Sequence, residues 1–401
     1  MILKKIAETI DELVKNHNGV ILIATPNENV YQKCFGYADI LKKIPVTINT
    51  QFLAGSVTKQ FTAVAILKAL WEENSNNISE ALHRTINYYL PKNHPIWVGA
   101  NPDWINLVTI HQLLIHSSGI PNYTSLPEYE KQKFSINSEL INFFKGHELE
   151  FSPGEKFSYS NSGYYLLGIL IEEITKQRLD TYLEKVLFKP LGMQSSFLPM
   201  HGTVDDLIRK DARFTNLARG FEYEITTYHP ELQEIKNYEQ MNAPGAAGSL
   251  ITTAEDLLKW NHALYSEQII SSSLLKIMLQ PYLMTERKDA YYGYGIEIIN
   301  STILGNYFSH RGGIPGFRSI LTYIPSLKLS IITLQNIVAN QEQLNPDIEQ
   351  IQKDFSLDLS NENHTKKLIE MIETKYPAIV ENKKRFDLSL IYDSLIKKLE
   401  S

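Results

Sequence analysis

The chain has 401 residues, 43% of them hydrophobic and 10% aromatic, which is ample for a large packed core. With 39 Lys and Arg against 45 Asp and Glu and no long basic cluster, the charge pattern excludes the electrostatic footprint of a nucleic-acid binder. Cys34 is the only cysteine, which excludes an intramolecular disulfide, a cysteine-rich zinc site and a C-x-x-C redox pair and fits a reducing compartment.

Residues 1–13 place Lys4, Glu8, Asp11 and Glu12 among apolar positions. This predicts an amphipathic helix in place of the apolar core of a signal peptide, and with it a cytoplasmic location. Residues 19–25 and 30–37 flank Pro26-Asn27-Glu28-Asn29 and read as a hairpin of a buried sheet. From 58 to about 245 the pattern is mostly helical, with helices expected over 59–73, 109–116, 163–175 and 179–187. The segment 61–70 reads as amphipathic. The longest apolar run, 164–171, ends at Glu172-Glu173 after eight residues, far short of the ~20 that a spanning helix needs.

β-branched and aromatic residues between Gly, Pro and Ser breaks then predict strands over 291–299, 307–310, 317–324 and 327–334. Strands at both ends of the chain imply one antiparallel sheet flanked by helices, with a mostly helical subdomain inserted. The sheet part is expected over about 1–57 and 246–355, the helical part over about 58–245, and a cleft between them is the expected site. Residues 356–401 read as a helical extension, since Leu388, Ile391, Leu395 and Leu399 form an apolar stripe.

Ser56 and Lys59, in Ala54-Gly55-Ser56-Val57-Thr58-Lys59, stand three apart at the start of a predicted helix. That spacing places the lysine amine on the face of the serine hydroxyl, where it can take the proton and make an acylable nucleophile. The first turn also offers free N–H groups to a tetrahedral oxyanion. Ser273-x-x-Lys276 and Ser394-x-x-Lys397 have the same spacing, and Ser56 alone also reads as a helix cap.

Tyr159 and Asn161 lie in a loop following a Pro-Gly turn. A tyrosine whose pKa is lowered by a neighbouring ammonium can serve as general base, and an asparagine can orient the lysine and bind substrate; alone, the pair also reads as a core tyrosine beside a capping residue. His310-Arg311-Gly312-Gly313 ends a predicted strand on a glycine pair, where a substrate can lie against the edge and a glycine N–H can serve as second oxyanion donor. His310 alone also reads as a structural histidine.

In this order, Ser56-Val-Thr-Lys59, Tyr159-Ser-Asn161 and His310-Arg-Gly312 resemble the three active-site motifs of the serine β-lactamase and penicillin-binding-protein superfamily. The likeness is to the group of class C β-lactamases, D-alanyl-D-alanine carboxypeptidases of the H-x-G type and related esterases. It extends over roughly residues 5–340 and includes the stretches 109–123, 188–193 and 246–257. The resemblance implies an α/β fold of the β-lactamase/transpeptidase type. It implies Ser56 as nucleophile, Lys59 as proton acceptor and Tyr159 as a further base, with Asn161 in support. His310 and Gly312 would line the strand side, and the N–H groups of Ser56 and Gly313 would form the oxyanion hole. No metal or cofactor is implied, and the substrate would be a small ester, amide or peptide.

Two departures qualify the activity. His310-Arg311 replaces the lysine and small hydroxyl residue of K-T-G, so strong β-lactamase activity is not expected; Arg311 would either grip a substrate carboxylate bidentately or face solvent. No E-x-x-L-N stretch lies between Tyr159 and His310, so Tyr159 and Lys59 would have to activate the deacylating water. No G-x-S-x-G elbow and no H-E-x-x-H zinc motif occurs. The alternative reading is a catalytically weak protein that uses the same pocket or its tail for binding or assembly.

Overall fold

Residues 19–24 are apolar at every position, the pattern of a strand covered on both faces. In the computed structural model they form β1 (Gly19–Ala24), buried throughout. The structure describes residues 18–75, 77–132, 140–199, 208, 211–225, 230–235, 245–287, 289–339 and 388–400. The expected helix at 1–13 and most of the expected extension at 356–387 lie outside the described residues.

β1 pairs with β2 (Asn29–Phe35) to make the expected hairpin. The remaining sheet strands come from the second half of the chain: β3 (Leu283–Met284), β4 (Ala290–Tyr292), β5 (Glu297–Ser301), β6 (Gly305–Ile314), β7 (Phe317–Ile324) and β8 (Leu329–Gln335). All eight pair antiparallel in the order β2-β1-β8-β7-β6-β5-β4-β3. The strand expected over 291–299 is in fact two strands, because Gly293-Tyr294-Gly295 turns the chain, with Gly295 at φ +70°. The strand expected over 307–310 runs on through the glycine pair to Ile314.

The strand period of two sorts the core into two layers. Val20, Leu22, Leu321 and Ile332 face the main core with the helices, whereas Ile21, Ile23, Ile320 and Ile331 face the opposite side. There they meet Tyr392, Leu395, Ile396 and Leu399 of a C-terminal helix over Leu388–Glu400. Each fully buried side chain of this size contributes about 1.5–3 kcal/mol, so the apolar stripe of that helix is what docks it.

Helix α1 (Thr58–Glu73) is not amphipathic as expected. It is apolar around most of its circumference and buried from Thr58 to Leu67, as befits a central helix. Helix α2 (Asn161–Thr175) packs beside it, and α3 (Ala254–Tyr265) covers the inner face of β8 and β1. The region 58–245 also holds strands Phe221–Ile225 and Pro230–Glu234, which join Ile337–Ala339 in a small second sheet. Among the described residues, no helix is long and apolar enough to cross a membrane.

Candidate active site

Ser56 sits in a single 3-10 turn, Gly55–Val57, that runs into α1. Neither the turn nor α1 is capped by a side chain at its start, so Ser56 is not acting as a cap. Thr58 ties the turn instead: its Oγ1 donates to the Gly55 carbonyl at 2.6 Å and accepts from the Leu250 N–H at 3.0 Å. The Ser56 hydroxyl is left to the lysine one turn on.

Lys59 is fully buried. Its Nζ lies 3.0 Å from Ser56 Oγ, 2.8 Å from Asn161 Oδ1 and 2.7 Å from the Ala247 carbonyl oxygen. Burial holds its pKa well below the usual lysine value. A neutral amine has two N–H donors and one lone pair. The amide and carbonyl oxygens can only accept, so they take the two donors, and the lone pair faces Ser56, the one partner that carries a proton. The other two serine-lysine pairs have no such setting: Ser273, Lys276 and Lys397 are exposed on helix surfaces.

Tyr159 lies where the chain enters α2, within hydrogen-bond reach of Ser56, and its ring centroid is 4.9 Å from Lys59 Nζ. The expectation of a phenol acidified by the lysine is overturned. Burial dominates and raises the Tyr159 pKa, with the Ser56 bond only partly opposing it, so the resting group is a protonated phenol. Asn161 opens α2, where its backbone N–H donates to Asn122 Oδ1 at 3.1 Å while its side chain reaches Lys59.

The third motif lies on β6, whose alternate residues face opposite ways. His310 is on the Ser56 side, buried, with its ring centroid 6.4 Å from that of Tyr159. Both of its nitrogens are engaged: Nδ1 is 2.7 Å from the Arg311 carbonyl oxygen and Nε2 is 2.8 Å from the Tyr292 hydroxyl. A carbonyl only accepts, so Nδ1 carries the proton and Nε2 accepts from Tyr292. Burial pushes the His310 pKa down to about 3, and the ring is neutral at physiological pH.

Arg311 departs from the substrate-binding expectation. The period of two turns it to the far face of the sheet, where Nη2 donates to Asp393 Oδ1 at 3.2 Å and the guanidinium stacks over Tyr392 at 5.6 Å. It holds the C-terminal helix. Arg311→Ala is therefore expected to leave the KM of a carboxylate-bearing peptide within about twofold of wild type and to cost less than ~1 kcal/mol of stability, as for other exposed pairs. Steady-state kinetics and a thermal melt check both.

Gly312 is a spacer against the turn that carries Ser56. A Cβ there would stand 2.0 Å from the Ala54 carbonyl oxygen, which accepts from Ser319 Oγ at 2.6 Å. Gly313 is exposed, and a Cβ on Gly55, at φ +53°, would lie 2.7 Å from its nitrogen. The close approach of these glycines brings the Ser56 turn and the Gly313 backbone together.

Residues without a motif of their own complete the site. Ala247 and Asn122 were visible only as parts of the stretches 246–257 and 109–123, because a backbone carbonyl and a second-row asparagine have no spacing signature. Tyr292, which holds His310, lay inside a segment read simply as strand.

A large antiparallel sheet with helices on both faces and a buried lysine beside a half-buried serine at β6 defines a β-lactamase/transpeptidase fold. The profile of the Beta-lactamase family matches residues 6–353, and the chain belongs to that family. It is 27% identical over 342 residues to "Penicillin-binding protein 4*" of Bacillus subtilis, covering 83% of this chain and 71% of that protein. The octameric penicillin-binding protein homologue from Pyrococcus abyssi superposes with a TM-score of 0.67 at 26% identity, over 84% of this chain and 74% of that one. The D-amino acid amidase from Ochrobactrum anthropi SV3 superposes with a TM-score of 0.66 at 22% identity, over 96% of this chain and 98% of that one.

Proposed function

We propose that the chain is a serine hydrolase that cleaves an ester or amide bond of a small substrate through an acyl-enzyme on Ser56. The observation that carries this reading is the buried Lys59 amine, 3.0 Å from Ser56 Oγ and held against that hydroxyl by Asn161 and the Ala247 carbonyl.

Ser56 Oγ attacks the substrate carbonyl carbon while its proton passes to Lys59. The oxyanion is held by the Ser56 and Gly313 N–H groups. Collapse breaks the C–O or C–N bond, and the leaving group takes a proton from the Tyr159 hydroxyl, which recovers one from the Lys59 ammonium. Water then repeats the sequence on the acyl-enzyme. Asn161 keeps the amine aligned, and His310 supplies a neutral wall.

Substrate choice follows from that wall. With His310 uncharged and Arg311 on the other face, the third motif offers no cation toward Ser56 to grip a β-lactam carboxylate. Short-chain p-nitrophenyl esters are expected to exceed nitrocefin in kcat/KM by roughly tenfold or more near pH 7, about 1.4 kcal/mol of transition-state binding. A panel of these esters, nitrocefin and D-Ala-D-Ala peptides on the purified protein tests this, and a preference for nitrocefin refutes it.

A further inference from the structure

His116 is a buried histidine that the steps above do not use, and it is strained: its φ is +57°, a left-handed conformation uncommon outside glycine. The strain has a visible return. The His116 carbonyl accepts from the Ser158 N–H at 2.8 Å, and its Nδ1 accepts from the Ser160 N–H at 3.1 Å. One residue thus grips the backbone on both sides of Tyr159. Its ring lies against the Tyr159 ring at 4.2 Å between centroids, and Tyr292 and Tyr164 enclose it at 4.7 and 5.0 Å.

Since Nδ1 accepts, the imidazole proton sits on Nε2, which is buried with no hydrogen-bond partner among the described residues. A merely structural histidine gains little from an orphaned donor in an aromatic box. Here the ring faces are in use, as a stop for the phenol, and protonating Nδ1 would break the bond to Ser160. Burial holds the ring well below the usual histidine pKa and keeps it neutral.

The geometry points to His116 as a positioning residue for Tyr159: it fixes the loop on both sides of the tyrosine and the plane of its ring, so that the hydroxyl meets Ser56 and the departing group. The inference rests on the Ser56 acyl-enzyme reading and adds a residue that none of the three motifs contains.

The test is a double-mutant cycle on the full chain, read with two substrates. His116→Gly keeps the left-handed backbone while removing the ring and the acceptor; His116→Asn tolerates the same backbone and places Oδ1 where Nδ1 was. For an ethyl ester, whose alkoxide must be protonated as it leaves, His116→Gly is expected to lower kcat/KM, which reports acylation, by roughly tenfold to a hundredfold, the scale of a misplaced catalytic group. For p-nitrophenyl acetate, whose leaving group departs unprotonated, the loss shrinks to about threefold or less. His116→Asn recovers most of the ethyl-ester rate. In a Tyr159→Phe background, His116→Gly adds almost nothing, because the group it positions is gone.

Equal losses for both esters, or a His116→Gly effect undiminished in Tyr159→Phe, overturn the inference even if Ser56 labels normally. A wild-type chain that a fluorophosphonate does not label at Ser56 overturns the underlying reading instead. If His116→Gly fails to fold by thermal melt, His116→Asn in both Tyr159 backgrounds carries the cycle, and a rate for it as low as that of Tyr159→Phe overturns the role of the acceptor.

Discussion

Ser56→Ala is expected to abolish covalent labelling by a fluorophosphonate and to reduce ester turnover on the order of a millionfold, the scale on which serine nucleophiles act. The fold should survive. Ser56 caps neither its own turn nor α1, and its hydroxyl meets the Lys59 amine and Tyr159, so the truncation removes a methylene-bound hydroxyl and leaves every backbone bond of the turn in place. A net loss near 1 kcal/mol or less is the expected stability change. Intact-protein mass spectrometry after labelling, beside a thermal melt, reads both. Labelling of the variant at the wild-type rate would remove Ser56 from the mechanism, and would send the search to the serines 273 and 394, which share its spacing to a lysine.

Lys59→Arg is expected to lower kcat/KM by roughly a thousandfold or more, because a guanidinium stays protonated throughout the accessible range and has no lone pair for Ser56. The pH dependence of the wild type points to the same group. Acylation needs the neutral amine, so the rate falls as the pH drops through the Lys59 pKa, and burial places that limb below the ordinary lysine range. The neighbours do not blur it: burial pushes His310 down to about 3, His116 is held well below the usual histidine value, and Tyr159 is held above the usual tyrosine value. One acid limb in kcat/KM, lost in Lys59→Arg, is the signature.

The same shift bears on stability. The folded pKa of Lys59 lies below the unfolded one, so between the two values the unfolded chain binds more protons and this residue's contribution to stability rises with pH. Below the folded pKa, the full cost of burying the ammonium is present. Melting temperatures of the wild type and Lys59→Met across that window measure the term, which the methionine variant should lack.

Local rules of the chain determined much of this protein. The uninterrupted apolar run at 19–24 required a strand covered on both sides, and the helical period put Lys59 beside Ser56. The stripe Leu395 and Leu399 made a docking helix. The same rules stopped short at the site. Three serine-lysine pairs had equal claims by spacing, and what separates them is burial of Lys59 by Asn161 and Ala247, which lie 102 and 188 residues away. The period of two already set Arg311 opposite His310 and Gly312, but which face looks onto Ser56 is decided only when the sheet meets the Ser56 turn and α3 on one side and the Leu388–Glu400 helix on the other. Tyr159 was misread as an acidified base because a neighbouring lysine can be inferred from motifs, whereas the desolvation that keeps the phenol protonated comes from rings at 116 and 292, brought in by the fold. Backbone geometry repeats over a few residues and can be read from them; burial, and every pKa that depends on it, is a property of the packed whole.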